Sequence, residues 1–222
     1  MRVAVGEVTL DVPSAFAHLR PFPMDGAVLL FDRDTGLNVL CDGPETAGLK
    51  AVAPRVVQFG ITNHCNLACT FCSRDLGAES AWSLESAFAT LAELAAGGVL
   101  EVAFGGGEPF TFKGFSALVR RLHAETPLAV NITTNGVALT RERLAEITGE
   151  LLIVWGTLDP HIPAEGRRTV EQALTAAGVR YSTREYAAEH AFMRDEGPRY
   201  DPAATDQAFA EMISFYRRVF AA

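Results

Sequence analysis

The 222-residue sequence predicts an α/β fold in which strands and helices alternate along a parallel sheet. Two observations carry that prediction. From Val56 onward, short runs rich in Val, Ile, Leu and Phe alternate with longer stretches whose apolar residues recur at helical spacing. Most of those short runs end in small or polar residues such as Gly, Asn, Thr and Asp, where strands of such folds give way to loops. Composition agrees, with 49% hydrophobic and 21% charged residues, the balance of a chain that buries a core.

Taken in order, residues 1–54 read as an N-terminal β-rich segment of short strands and turns that covers one end of the core. Ala27–Phe31 and Leu37–Leu40 flank Asp34-Thr35-Gly36, a hairpin signal. A strand over Val56–Thr62 leads into a cysteine loop. Ser83 is placed to cap a helix that puts Leu84, Ala87, Phe88 and Leu91 on one face, and Gly97-Gly98 stop it. The spacing then predicts a strand over Val99–Phe104, a helix over Phe115–His123, a strand over Leu128–Thr133 and a helix over Thr140–Thr148. Strand Leu151–Gly156, helix Ala164–Ala177, strand Arg180–Tyr186 and helix Ala203–Phe220 complete five units, expected on one sheet. Arg167-Arg168 and Arg217-Arg218 read as solvated helix faces, and His161 as a surface loop residue.

The charge balance excludes some functions. With 19 basic and 27 acidic residues the net charge is −8, and no Lys/Arg-dense stretch offers a track for a phosphate backbone, so no nucleic-acid partner is expected. The longest apolar runs, Ala27–Phe31 and Leu151–Trp155, fall far short of the roughly 18 residues of a membrane helix. Glu7 and Asp11 interrupt the first apolar stretch, which a secretory signal would not tolerate. A cytoplasmic protein without a membrane partner is the expectation.

Three of the four cysteines lie within eight residues, as Cys65-x3-Cys69-x2-Cys72. Disulfide frameworks belong to short secreted chains, and zinc sites usually take four ligands. The trio has no obvious fourth partner, because the neighbouring His64 points away from Cys65. Three thiolates suit an iron–sulfur cube with one iron left open. The fourth cysteine, Cys41, sits in an apolar run and reads as a small core residue.

The trio, with aromatic Phe71 just before its last cysteine, resembles the signature of the radical S-adenosylmethionine (SAM) enzymes. Further family-like motifs follow: Gly105-Gly106-Gly107-Glu108-Pro109 after one strand and Thr134-Asn135-Gly136 after the next. The resemblance covers about residues 25–150 and implies a partial (β/α) barrel whose core here spans 55–150. It further implies that Cys65, Cys69 and Cys72 ligate three irons of a 4Fe–4S cluster, with the fourth iron chelated by SAM. Gly106, Gly107 and Glu108 would present backbone groups to the SAM amino group, Pro109 would stiffen that loop, Phe71 would lie near the adenine, and Asn135 would belong to the SAM-binding wall. A one-electron donor of flavodoxin or ferredoxin type is the implied partner, and the substrate, small molecule or peptide, stays open.

Beyond Gly149 a second resemblance takes over. Leu151–Pro163, Tyr186–Phe192 and Asp195–Tyr200 are similar to the C-terminal part of dienelactone hydrolases, which are α/β-hydrolases. The resemblance implies that Asp159 orients His190 and that His190 acts as general base. No Gly-x-Ser-x-Gly or Gly-x-Cys-x-Gly elbow precedes Asp159, so the pair is expected to lack its nucleophile. The chain thus reads as a hybrid, with a radical-enzyme front and a hydrolase-like segment over residues 151–222. The alternative function is that of a hydrolase fragment acting on small esters or lactones, or inactive.

Overall fold

Residues 2–6, 8–68, 72 and 74–220 are described in the computed structural model of the chain. Contacts divide it into two units, Met1–Ala138 and Leu139–Ala222.

The first unit begins with a hairpin of β1 (Arg2–Val5) and β2 (Val8–Asp11), then an antiparallel meander of β3 (Arg20–Met24), β4 (Ala27–Phe31) and β5 (Asn38–Asp42). Central β4 is buried throughout. Pro21 and Pro23 place β3 at an edge, where missing amide donors are tolerated. The hairpin expected around Asp34-Thr35-Gly36 forms between β4 and β5. The Asp32 carboxylate accepts from the Asp34 amide at 3.0 Å and the Thr35 hydroxyl at 2.6 Å.

Three parallel strands follow, β6 (Val56–Thr62), β7 (Glu101–Gly106) and β8 (Ala129–Ile132), in the order β6-β7-β8. Their side chains alternate as the strand period requires. Phe59, Ile61, Val102 and Phe104 face the helices α1 (Leu84–Ala96) and α2 (Phe115–Glu125), meeting Ala87, Leu91, Leu118 and Leu122 in one core. Alternate positions carry Gln58, Gly60, Glu101, Ala103 and Asn131. Ser83 caps α1 as expected: its hydroxyl accepts from the Ser86 amide at 3.1 Å, and the Ser86 hydroxyl accepts from the Ser83 amide at 3.0 Å.

The meander packs at the amino ends of the parallel strands. Phe22, Leu29 and Phe31 cluster with Leu100, just before β7, and the Arg20 guanidinium donates to the Val99 carbonyl at 3.2 Å. The opposite, carboxyl ends carry the loops that follow Thr62, Gly106 and Ile132.

The second unit contains α3 (Arg141–Ala145), β9 (Leu151–Gly156), α4 (Ala164–Ala176), β10 (Tyr181–Tyr186) and α5 (Pro202–Phe220). Strands β9 and β10 are parallel over six registered pairs. Leu144, Leu174 and Val179 pack with Leu151 and Ile153, while Phe192, Ala204 and Ala208 pack with Val154 and Tyr186, so successive residues of β9 serve two cores.

The α/β class stands, but the single parallel sheet does not. Strand β9 takes all its registered partners from β10, and β8 is short and ends in exposed Asn131 and Ile132, giving separate sheets of three and two parallel strands. Helix α3 is also shorter than its expected span, because Ile147, Thr148 and Gly149 are poor helix formers. No described helix is long and apolar enough to cross a membrane.

Phe104 is 1% exposed and meets Phe59 and Phe115 edge-on at 5.8 and 5.2 Å. Phe104→Ala is expected to cost about 3–5 kcal/mol in urea unfolding. Leu40→Ala, at a position 58% exposed, should stay within about 0.5 kcal/mol of the parent.

Candidate functional site

In the first unit, the sequence motifs meet at the carboxyl ends of the parallel strands. The β6 end approaches the glycine run so closely that side chains are excluded. A Cβ on Gly106, whose φ is +114°, would lie 2.3 Å from the Thr62 carbonyl oxygen, and one on Gly107 would lie 2.1 Å from that of His64. The approach lets the Gly107 amide donate to the Thr62 carbonyl at 2.6 Å and the Glu108 amide to the His64 carbonyl at 2.9 Å. His64 immediately precedes Cys65, so the first cysteine starts from a backbone fixed to the glycine loop. The stem of the cysteine loop is closed from its far side, where the Ser80 hydroxyl lies 2.9 Å from that of Thr62 and accepts from the Asn63 amide at 2.9 Å.

Glu108 is 1% exposed, and its carboxylate joins two loops. One oxygen accepts from the Phe110 amide at 3.1 Å and the Thr134 hydroxyl at 2.8 Å; the other accepts from the Asn135 amide at 2.8 Å. Pro109 is buried and opens a single 3-10 turn over Pro109–Thr111 that Glu108 caps. The Asn135 side chain then reaches the cysteine loop, 2.8 Å from Asn66 Oδ1 and 3.7 Å from Cys65 Sγ.

Cys65 is partly buried and Cys72 exposed; both are free thiols. Each sulfur faces a backbone donor, Leu67 N for Cys65 and Arg74 N for Cys72, both at 3.5 Å. Cys69 and Phe71 lie outside the described residues. Cys41, on β5, is partly buried and packs against the N-terminal core.

The second unit brings Asp159 and His190 together. Both follow adjacent parallel strands, and His190 Nδ1 lies 2.8 Å from Asp159 Oδ2. The other Asp159 oxygen accepts from the amides of His161 at 2.7 Å and Ile162 at 3.1 Å. Burial alone would push the Asp159 carboxyl up, but the hydrogen bonds from His190 and the two amides outweigh it and hold the group below its ordinary value. The strand-end loops can approach because β9 ends in glycine: a Cβ on Gly156 would lie 2.4 Å from the Ala188 carbonyl oxygen.

Some residues near these sites carried no signal in the sequence. His161 stands edge-on to His190 with ring centroids 5.1 Å apart, and Arg199 reaches its Nε2 at 3.4 Å. Arg167 is buried rather than solvated. It bonds Glu185 at 3.2 Å and the Ile162 carbonyl at 3.2 Å, tying the Asp159 loop to β10. Ser80 and Thr134 are also structural partners; only Thr134 was flagged, through its place beside Asn135.

A family model described as the Radical SAM superfamily matches residues 59–174, just over half of the chain, and reaches past residue 150 into α4. A PqqA peptide cyclase of Rhodopseudomonas palustris is 41% identical over 107 residues, covering 46% of this chain and 27% of that protein. A putative carboxymethylenebutenolidase of Saccharomyces cerevisiae is 32% identical over 83 residues, covering 35% of this chain and 30% of that protein. The chain therefore spans only about a quarter to a third of these relatives. Among solved structures, SuiB of Streptococcus suis shares the fold at a TM-score of 0.50 and 14% identity, over 78% of this chain and 56% of SuiB.

Because its folded carboxyl titrates below the unfolded value, Asp159 contributes stability above that unfolded value and loses it as pH falls through the folded one. Asp159→Asn is expected to cost about 1–3 kcal/mol at pH 7 by urea unfolding. The gap between variant and parent should narrow below about pH 4, where the unfolded carboxyl also takes up its proton.

Proposed function

The chain belongs to the Radical SAM superfamily, and on that premise we propose that Cys65, Cys69 and Cys72 hold a 4Fe–4S cluster beside a SAM site. The supporting observation is that Cys65, the Gly106–Glu108 loop and Asn135 converge at the carboxyl ends of β6, β7 and β8. On this reading the three strands are the first units of a partial (β/α) barrel.

The described residues fit the group. Cys65 and Cys72 are free thiols, and each sulfur faces a backbone N–H donor at 3.5 Å, a contact that a cluster-ligating sulfur can keep. When bound, the cluster supplies the electron that cleaves SAM reductively to methionine and a 5′-deoxyadenosyl radical. The protein's share is placement. The amides of Gly107 and Glu108 donate to the Thr62 and His64 carbonyls and the Glu108 carbonyl accepts from Thr111, so the carbonyls of Gly106 and Gly107 would be the acceptors offered to the SAM ammonium. Pro109 and the Glu108 cap shape that loop, Phe71 would lie near the adenine, and Asn135 would belong to the wall on the β8 side. A flavodoxin or ferredoxin in the cytoplasm would deliver the electron. The peptide cyclase among the relatives makes a peptide the substrate class to examine first.

A second reading is favoured by the 2.8 Å contact between His190 and Asp159, whose side chain is 7% exposed. This is the orienting half of a hydrolase triad, as the likeness of residues 151–222 to dienelactone hydrolases implies. On this reading the pair positions an imidazole, and the nucleophile it would serve is not marked by an elbow motif in the sequence.

Two experiments test these readings. After anaerobic reconstitution with iron and sulfide, Cys65→Ala, Cys69→Ala or Cys72→Ala should lose most of the bound iron, and Cys41→Ala should keep it. With dithionite and SAM, only chains with all three cysteines should form 5′-deoxyadenosine; equal iron in all four variants would overturn the cluster assignment. For the second reading, the parent and His190→Ala should hydrolyse 4-nitrophenyl acetate at the same background rate, and a rate that vanished in the variant would restore a hydrolase.

A further inference from the structure

Asn135 is fixed through both its backbone and its side chain. Its backbone amide donates to the buried Glu108 carboxylate at 2.8 Å, and its side-chain oxygen accepts from the Val137 amide at 3.0 Å. With the oxygen committed, the NH2 group must be the end that faces the cysteine loop, which settles the orientation of the amide. That group lies 3.7 Å from Cys65 Sγ and 2.8 Å from Asn66 Oδ1. Leu67 N, which also donates to Cys65 Sγ, comes from the cysteine loop itself. Asn135 differs because it reaches the sulfur from the β8 loop, and its position is set by a carboxylate buried beneath both loops.

An N–H dipole aimed at a thiolate stabilises negative charge on sulfur. A cluster carries more of that charge after it gains an electron, so such a bond favours the reduced form and raises the potential. We propose that Asn135 is a positioning residue for Cys65 whose side-chain amide raises the reduction potential of the cluster carried by the three cysteines. The inference rests on the cluster reading above and adds a function that binding SAM does not require. It also assigns Glu108 a task at a distance: by holding the Asn135 backbone, it sets the aim of the amide.

The test is a redox titration of the full chain followed by electron paramagnetic resonance, without SAM, after iron content has been measured. Asn135→Ser keeps a hydroxyl oxygen that can accept from Val137 but loses the NH2 group that extends to Cys65, which the shorter side chain does not reach. At the parent's midpoint, its ratio of reduced to oxidised cluster should fall about three- to tenfold; tenfold corresponds to about 59 mV for one electron. Asn135→Asp, of the same shape but with an oxygen in place of the NH2, should fall further and serves if the serine variant loads poorly. Asn66→Ala removes the acceptor that shares the amide, and its midpoint should stay level or rise. A parent midpoint in the Asn135 variants would overturn the proposal. So would an equal fall in Asn66→Ala, since that would mark a loosened loop rather than a lost bond. A parent that binds no iron would defeat the cluster reading instead, and iron content shows this before any potential is read.

Discussion

The buried Glu108 carboxylate is the constraint on which the first unit's strand-end loops depend. A carboxylate removed from water costs several kcal/mol unless its oxygens are satisfied. Glu108 is satisfied by a residue of its own turn and by two residues of the loop after β8. Neither loop can move alone without leaving that group short of a donor. The same residue's backbone amide is bonded to the His64 carbonyl, which extends the constraint to the start of the cysteine loop. The two glycines before it make this possible, since a Cβ on Gly106 would collide with Thr62 at the end of β6 and one on Gly107 with Asn63 and His64 just after it. The glycine-glycine-glutamate run is thus explained by packing before any ligand is considered, and the same packing brings Cys65 within reach of Asn135.

The second unit ties its strand-end loops by a related device. Asp159 accepts from two backbone amides of its own loop, much as Glu108 accepts from Phe110, and a glycine at the strand end permits the close approach. The difference lies in the third partner. Glu108 spends its remaining capacity on a hydroxyl and an amide, whereas Asp159 holds an imidazole. One carboxylate fixes backbone; the other also fixes the tautomer and direction of a base. That second arrangement is the more chemically specific, since it presents an imidazole in a set direction.

Legibility in the sequence followed the range of the forces involved. Helices α1 and α2 and strands β6, β7, β9 and β10 were readable because their apolar periodicity and the Ser83 cap are local. The motif residues were readable because glycine, cysteine and Asn-Gly at fixed spacing have few alternative explanations. The division into two sheets was not readable. Strand–helix alternation is the same whether β9 joins β8 or pairs only with β10, and the choice depends on pairing across about thirty residues of chain. The short strands β1, β2 and β3 gave little pattern, since four- or five-residue segments interrupted by Pro or acidic residues show no clear period. Arg167 was misread because charge signals exposure until a partner such as Glu185 is seen beside it. The pairing of Asp159 with His190 was anticipated only through likeness to a family, because spacing alone cannot bring residues 31 positions apart into contact.

Two family likenesses in one chain are physically compatible because strand–helix folds separate stability from chemistry. The amino ends and helix-covered face of β6–β8 are packed by Leu100, Phe59, Phe104 and their neighbours, residues chosen for volume rather than reactivity. The carboxyl ends carry the loops, where Glu108 fixes the backbone and Cys65 and Asn135 stand beside each other. In the second unit, likewise, Asp159 and His190 stand in the loops that follow Gly156 and Tyr186 at the ends of β9 and β10. The superfamily match accordingly runs past residue 150 through strands and helices of both units. The two units differ in the side chains fixed at their strand ends: in one the Asn135 amide faces the Cys65 sulfur, and in the other the Asp159 carboxylate holds the His190 imidazole.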